Sequence, residues 1–189
     1  MAQIKTNTPA FLGLLIIILG LGTFGQVNAQ GVWKTDSSHI KFFSEAPLEN
    51  IEAENVKARG AINTEKNMIA ISVPITGFKF EKELMEEHFN ENYLESEKFP
   101  KGTFQGTFNE KIDWKKDGTY PATAKGSLTI HGVKRETTLK GTVNIKNGKI
   151  YVNAEFTVRL EDHDIEIPQI VFQNIAEEIL VTCYFSFKQ

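Results

Sequence analysis

The chain has 189 residues, a formal net charge of −3 and 24% charged side chains. A mildly acidic chain without a dense basic block is a poor partner for nucleic acid, and none is expected. Cys183 is the only cysteine, so no intrachain disulfide is available.

In chain order, the first feature is a leader. Lys5 is the only charge before Lys34, an apolar run spans Phe11 to Phe24, and Val27-Asn28-Ala29 follows. A basic start, a short apolar core and a small-x-Ala ending define a secretory signal peptide, with cleavage expected after Ala29. The run is short for a membrane span, which needs about 18 or more apolar residues, and Gly20, Gly22 and Gly25 dilute it. No cysteine lies near the cut, which excludes a lipoprotein anchor. The expected division is a signal peptide at residues 1–29 and one domain at residues 30–189, periplasmic or secreted.

Trp33 to Ala46 reads as a first strand, with Ile40 and Phe42 on one face and Lys41 and Phe43 on the other. Val56 to Asn63 is a weaker strand. Met68 to Phe80 is a long one, in which Ile69, Ile71, Val73 and Ile75 alternate with smaller groups. Pro74 cannot donate to a ladder and marks an edge or bulge, and Gly77 a bend. From Glu81 to Asn92 the period changes, because Leu84, Met85, His88 and Phe89 recur at helical spacing. Pro100 ends that helical stretch.

From Thr103 to Leu160 every second residue is apolar or small, which predicts a four-stranded antiparallel meander. Its dry face carries Phe104, Gly106, Phe108, Ile112 and Trp114, then Tyr120, Ala122, Ala124, Gly126, Leu128 and Ile130. Thr137, Leu139, Gly141, Val143 and Ile145 follow, then Ile150, Val152, Ala154, Phe156 and Val158. Asp117-Gly118 and Asn147-Gly148 favour tight turns, which need positive φ. After a loop, Glu177 to Phe187 is a last strong strand. Cys183 falls in phase with Ile179, Val181, Phe185 and Phe187, as a small buried hydrophobe would. The fold class is all-β: an antiparallel barrel of about eight strands with a short inserted helix. Closure would remove the sheet edges.

Small residues among large ones on the dry face could leave room for a guest, or relieve bending in a solid barrel. The 14 phenylalanines could likewise line a tunnel or fill a core. No Gly-x-Ser-x-Gly elbow, phosphate-cradling loop or His-Glu-x-x-His motif is present. His39, His88, His131 and His163 are scattered, so no bound metal is expected.

Three segments carry a family resemblance. Trp33-Lys34-Thr35-Asp36-Ser37-Ser38-His39-Ile40-Lys41-Phe42, the run from His88 to Pro100 into Phe104, and Ser127-Leu128-Thr129-Ile130-His131-Gly132-Val133 resemble YceI-like proteins. The resemblance implies a lipocalin-like barrel, usually exported, that binds a polyisoprenoid or similar long-chain amphiphile in its lumen. The helix here lacks the arginine-aspartate pair that often precedes the family's histidine.

The expected function is therefore a non-enzymatic lipid-binding protein for transport, storage or sequestration. Phe42, Phe104, Phe108, Leu128, Leu139 and Phe156 would contact the tail, and Gly126 and Gly141 would leave it space. Leu84, Met85, His88 and Phe89 would cover one end, with His88 as polar handle, while His131 would stabilise its turn. No cofactor is expected apart from a bound polyisoprenoid or quinone-like lipid. The partner is a long-chain lipid, with a homodimer and a transient membrane contact left open. The rivals are an enzyme that assembles polar groups in the lumen and a solid structural barrel without ligand.

Overall fold

The structure, a computed structural model, describes residues 31–167 and 175–189. The expected leader and its cleavage site lie outside the described residues, as does Pro168. Ten strands form among the described residues: β1 (Val32–Glu45), β2 (Asn50–Asn55), β3 (Arg59–Asn63), β4 (Met68–Pro74), β5 (Phe78–Phe80), β6 (Lys101–Phe108), β7 (Gly118–Ile130), β8 (Val133–Lys146), β9 (Lys149–Arg159) and β10 (Glu178–Lys188). The helix α1 (Glu83–His88) runs directly into a π-helical turn over Phe89–Tyr93.

These strands make an eight-stave antiparallel barrel, because two staves are each broken into a pair of strands. β10, β9, β8, β7, β6 and β4 follow one another, and β1 closes on β10. The free edge of β1 is shared, Val32–Lys34 pairing with β3 and Ile40–Glu45 with β2. β3 then pairs with β4, and β2 with β5.

Asn55 holds the broken region. It is fully buried, its Nδ2 donates to the Pro74 carbonyl at 2.8 Å, and its Oδ1 accepts from the Lys57 N–H at 2.8 Å. Gly77 packs against it so closely that a Cβ would lie 2.7 Å from Nδ2. The stave expected to run unbroken from Met68 to Phe80 is therefore interrupted by a 3-10 turn at Ile75–Gly77. The weak strand expected from Val56 begins at Arg59, and Asn50–Asn55 forms a separate strand that the sequence reading lacks. Charged residues at alternate positions hide its pattern, since only Ile51, Ala53 and Asn55 face inward.

The first meander strand ends at Phe108, earlier than alternation suggests. Beyond it the chain leaves the ladder. The Asn109 N–H donates to the Thr123 carbonyl at 2.8 Å, and the Thr123 N–H donates to the Glu110 carboxylate at 2.7 Å. Ile112 is buried and Trp114 packs on the core, so both residues serve the interior from a loop rather than a strand. The Asp117-Gly118 turn does not form. Asn147 and Gly148 do take positive φ, 51° and 68°, as do His131 and Gly132 at 51° and 75°.

One end of the barrel is solid. Ile62, Val143, Ile150 and Phe187 are each 0% exposed there, joined by Ile145 and Ile112. Trp33 reaches this layer although Ser38, Ile40, Phe42 and Ser44 also point inward, because a bulge between Thr35 and Ser37 shifts the alternation of β1 by one residue. The other end is hollow.

Candidate functional site: an apolar cavity under a helical lid

The hollow end encloses a cavity of about 580 Å³. Ile40 and Phe42 of β1, Ile71 and Val73 of β4, Phe104 and Phe108 of β6, and Leu128 of β7 form part of its wall. Leu139 of β8, Phe156 and Val158 of β9, and Val181, Cys183 and Phe185 of β10 also line it. A cavity of this size with an apolar lining suits an elongated hydrophobic guest. Burial pushes the Cys183 thiol up to about 12, so it behaves as an apolar wall residue.

Ala122 and Ala124 border the cavity and leave width where larger groups would fill it. The glycines act differently. Gly126 does not border the cavity, and a Cβ on it would sit 2.0 Å from the Gln105 carbonyl oxygen. Gly141 borders it, but a Cβ there would be 2.0 Å from the Asn153 carbonyl oxygen. Both let the neighbouring main chain approach closely. Contrary to the expectation from sequence, their missing side chains are taken up by backbone contact and do not make room for a tail.

The lid is α1 with its π-turn. Phe89 stacks on Phe42 at 5.4 Å between centroids and also meets Phe78 and Phe80, at 5.6 and 5.0 Å. The Leu94 N–H donates to the Phe89 carbonyl at 2.9 Å, the i to i+5 bond of a π-turn, and carries Leu94 into a small cluster with Ile75 and Ile165. Two ion pairs strap the helix: Lys79 with Glu86, and Lys82 with Glu49 at 2.5 Å. Met85 and Phe89 point to the cavity. Leu84 and His88 sit on its rim, and Leu84 is 60% exposed.

His131 stays outside the cavity. Its Nε2 donates to the Glu95 carboxylate at 2.9 Å and its Nδ1 faces the His163 carbonyl at 3.1 Å. The ring packs edge-on against Phe99. The contact with His131 holds the Glu95 carboxyl below its ordinary range. His163 is buried, which lowers its pKa, and its Nδ1 donates to the Val133 carbonyl at 3.2 Å. His131 thus ties the β7–β8 turn to the segments after the lid and after β9, the structural role its turn position suggests.

Of the expected site residues, every one except Gly126 borders the cavity. The sequence reading omits Ile71, Val73, Val181 and Cys183, whose alternation along β4 and β10 was a visible signal. Among the described residues, no three His, Cys, Asp or Glu side chains gather as a metal site.

The class is thus an antiparallel barrel built to enclose an apolar molecule. Residues 32–187 match the YceI-like domain, and the chain belongs to that family. It is a non-catalytic barrel able to hold a hydrophobic ligand. A polyisoprenoid binding domain from Saccharophagus degradans, implicated in plant cell wall breakdown, is similar in fold, with a TM-score of 0.71, 13% identity and coverage of 82% of this chain and 97% of that one. BcnA of Burkholderia cenocepacia superposes with a TM-score of 0.65 at 13% identity, covering 79% and 95%. The YCEI protein of Campylobacter jejuni gives 0.56 at 14%, covering 70% and 81%. No curated protein matches the chain by sequence.

Proposed function

We propose that this protein is an exported carrier that holds a polyisoprenoid or similar long-chain lipid in the hollow half of its barrel. The apolar cavity carries this reading, because it offers a long guest a wall almost free of polar groups. Each buried methylene of such a guest contributes about 0.8 kcal/mol. The name of the Saccharophagus domain supports the isoprenoid class, and the Lys5 to Ala29 leader supports export. Removal of residues 1–29 would leave a mature barrel in the periplasm or outside the cell.

Organic extraction of the exported, purified protein followed by mass spectrometry tests the reading. A long-chain lipid near one per chain is expected. Leu128→Trp, which projects an indole into the cavity, should reduce it severalfold with the fold retained by circular dichroism. Protein that carries no lipid and takes up no geranylgeraniol would overturn the carrier reading.

A further inference from the structure

The barrel wall has a gap. β8 pairs with β9 only from Gly141 to Lys146, and the last pair on the hollow side is Gly141 with Ala154. Beyond it, Val133–Lys140 of β8 pairs with β7 alone, and Glu155–Arg159 of β9 pairs with β10 alone. The two strands part in the region where the cavity lies. Farther out they are tied again: the Arg135 Nε donates to the Asp162 carbonyl at 2.6 Å and the His163 Nδ1 to the Val133 carbonyl at 3.2 Å. The gap is therefore a slot with a floor and a roof.

The cavity reaches this slot. Leu139 and Phe156, on its two sides, face inward and line the cavity. Lys140, Thr142 and Asn153 fall on the outward phase of their strands, yet they border the cavity too. Lys140 stands just past the last β8–β9 pair, where the wall has parted, while Thr142 and Asn153 pair with each other in the closed ladder beneath it and form the floor. A continued register would place Glu155 opposite Lys140, but the two form no ion pair, and Lys140 has none with any described residue.

The lid end has the opposite character. Exposed Glu81, Glu83, Glu87 and Glu91 surround it, and the cations there, Lys79 and Lys82, are already paired with Glu86 and Glu49. Stacked phenylalanines close it. An anionic head is repelled at the lid and meets an uncommitted cation at the slot.

We infer that the slot between β8 and β9 is the headgroup site: an amphiphile with an anionic head, phosphate or carboxylate, lays that head beside Lys140, Thr142 and Asn153 and runs its tail inward past Leu139 and Phe156. This rests on the carrier reading and adds the head's chemistry and position. It also moves the polar handle away from His88.

The test is equilibrium binding of geranylgeranyl monophosphate, oleate and uncharged geranylgeraniol to the mature protein. Lys140→Ala should weaken the two anions about threefold to fivefold at low salt, the size of a partly exposed charge contact. It should leave geranylgeraniol unchanged, and the difference should shrink in high salt. Glu155→Gln should tighten the anions. Lys125→Ala, at an exposed cation of β7 that does not border the cavity, should not weaken them. An effect on the phosphate alone assigns the head to phosphate, and one on both anions to any anionic group. Anion binding indifferent to Lys140→Ala, weakened equally by Lys125→Ala, or weakened more than geranylgeraniol binding by Lys82→Ala or His88→Ala, would overturn the slot while leaving the carrier reading intact. Failure of all three probes on the wild-type protein would remove both.

Discussion

At the scale of single residues, the glycines show how a missing side chain can serve the main chain rather than a ligand. Gly126 and Gly141 stand where strands cross so closely that a Cβ would overlap a carbonyl oxygen. Backbone cannot swing aside as a flexible side chain can. Gly126→Ala and Gly141→Ala should each destabilise the barrel by about 1–3 kcal/mol, the usual cost of overpacking, read as a lower urea midpoint. Unchanged midpoints would show that the strands can separate there. His131 makes a different point. It holds φ at 51°, a conformation that a branched residue resists, while its ring spans Glu95 and the His163 carbonyl. His131→Val should lower the melting temperature and loosen hydrogen exchange at both tied segments. His131→Asn, which tolerates that φ, should keep part of the loss at bay.

At the scale of elements, β1 matters most because it closes the barrel and changes phase at its bulge. Asp36 sits in that bulge and receives Lys149 of β9 at 2.9 Å and Lys188 of β10 at 2.7 Å. The hydrogen bond from Lys188, then that from Lys149, lowers the Asp36 carboxyl from 3.8 to about 2. A depressed carboxylate stabilises the fold above its unfolded pKa and loses that contribution as pH falls through its folded value. The contribution from Asp36 should therefore be complete above about pH 4 and fade toward pH 2. Because the group is near the surface, salt should shrink it. Melting temperature measured against pH should show a shallower acid fall in Asp36→Asn than in the wild type. Equal slopes would mean that the lysine fork adds nothing to closure.

At the scale of the whole molecule, the barrel is both solid and hollow, at opposite ends. That division predicts two kinds of variant. Phe187→Ala removes a fully buried ring from the solid end and should cost about 3–5 kcal/mol. Its effect on lipid carried per folded chain should be slight. Phe156→Ala removes a ring that already borders empty space, so its cost should stay below about 1.5 kcal/mol, while lipid carriage changes more. Urea unfolding together with lipid extraction measures both. The reverse ranking would mean that the cavity is filled by packing in solution.

Local pattern alone determined β6 as far as Phe108, β7 to β10, the change to helical period at Leu84 and the tight turn at Asn147-Gly148, but it also ran the first meander strand on to Trp114 and placed a turn at Asp117-Gly118, neither of which forms. These are local properties, since side-chain direction has a period of two along a strand and turn φ depends on the turn residues themselves. The same alternation already marks Phe42, Phe104, Leu128 and Phe156 as inward residues. It cannot say whether an inward residue meets another side chain or empty space, because that depends on what the opposite wall brings to the same depth. Phe187 and Phe185 are two residues apart on one face of β10, yet only Phe185 borders the cavity. Nor can a strand's own sequence show where its neighbour leaves it. The breaks around Asn55 and Gly77 and the parting of β8 from β9 beyond Gly141 arise from how eight twisted staves close on themselves, and only the tertiary structure decides that.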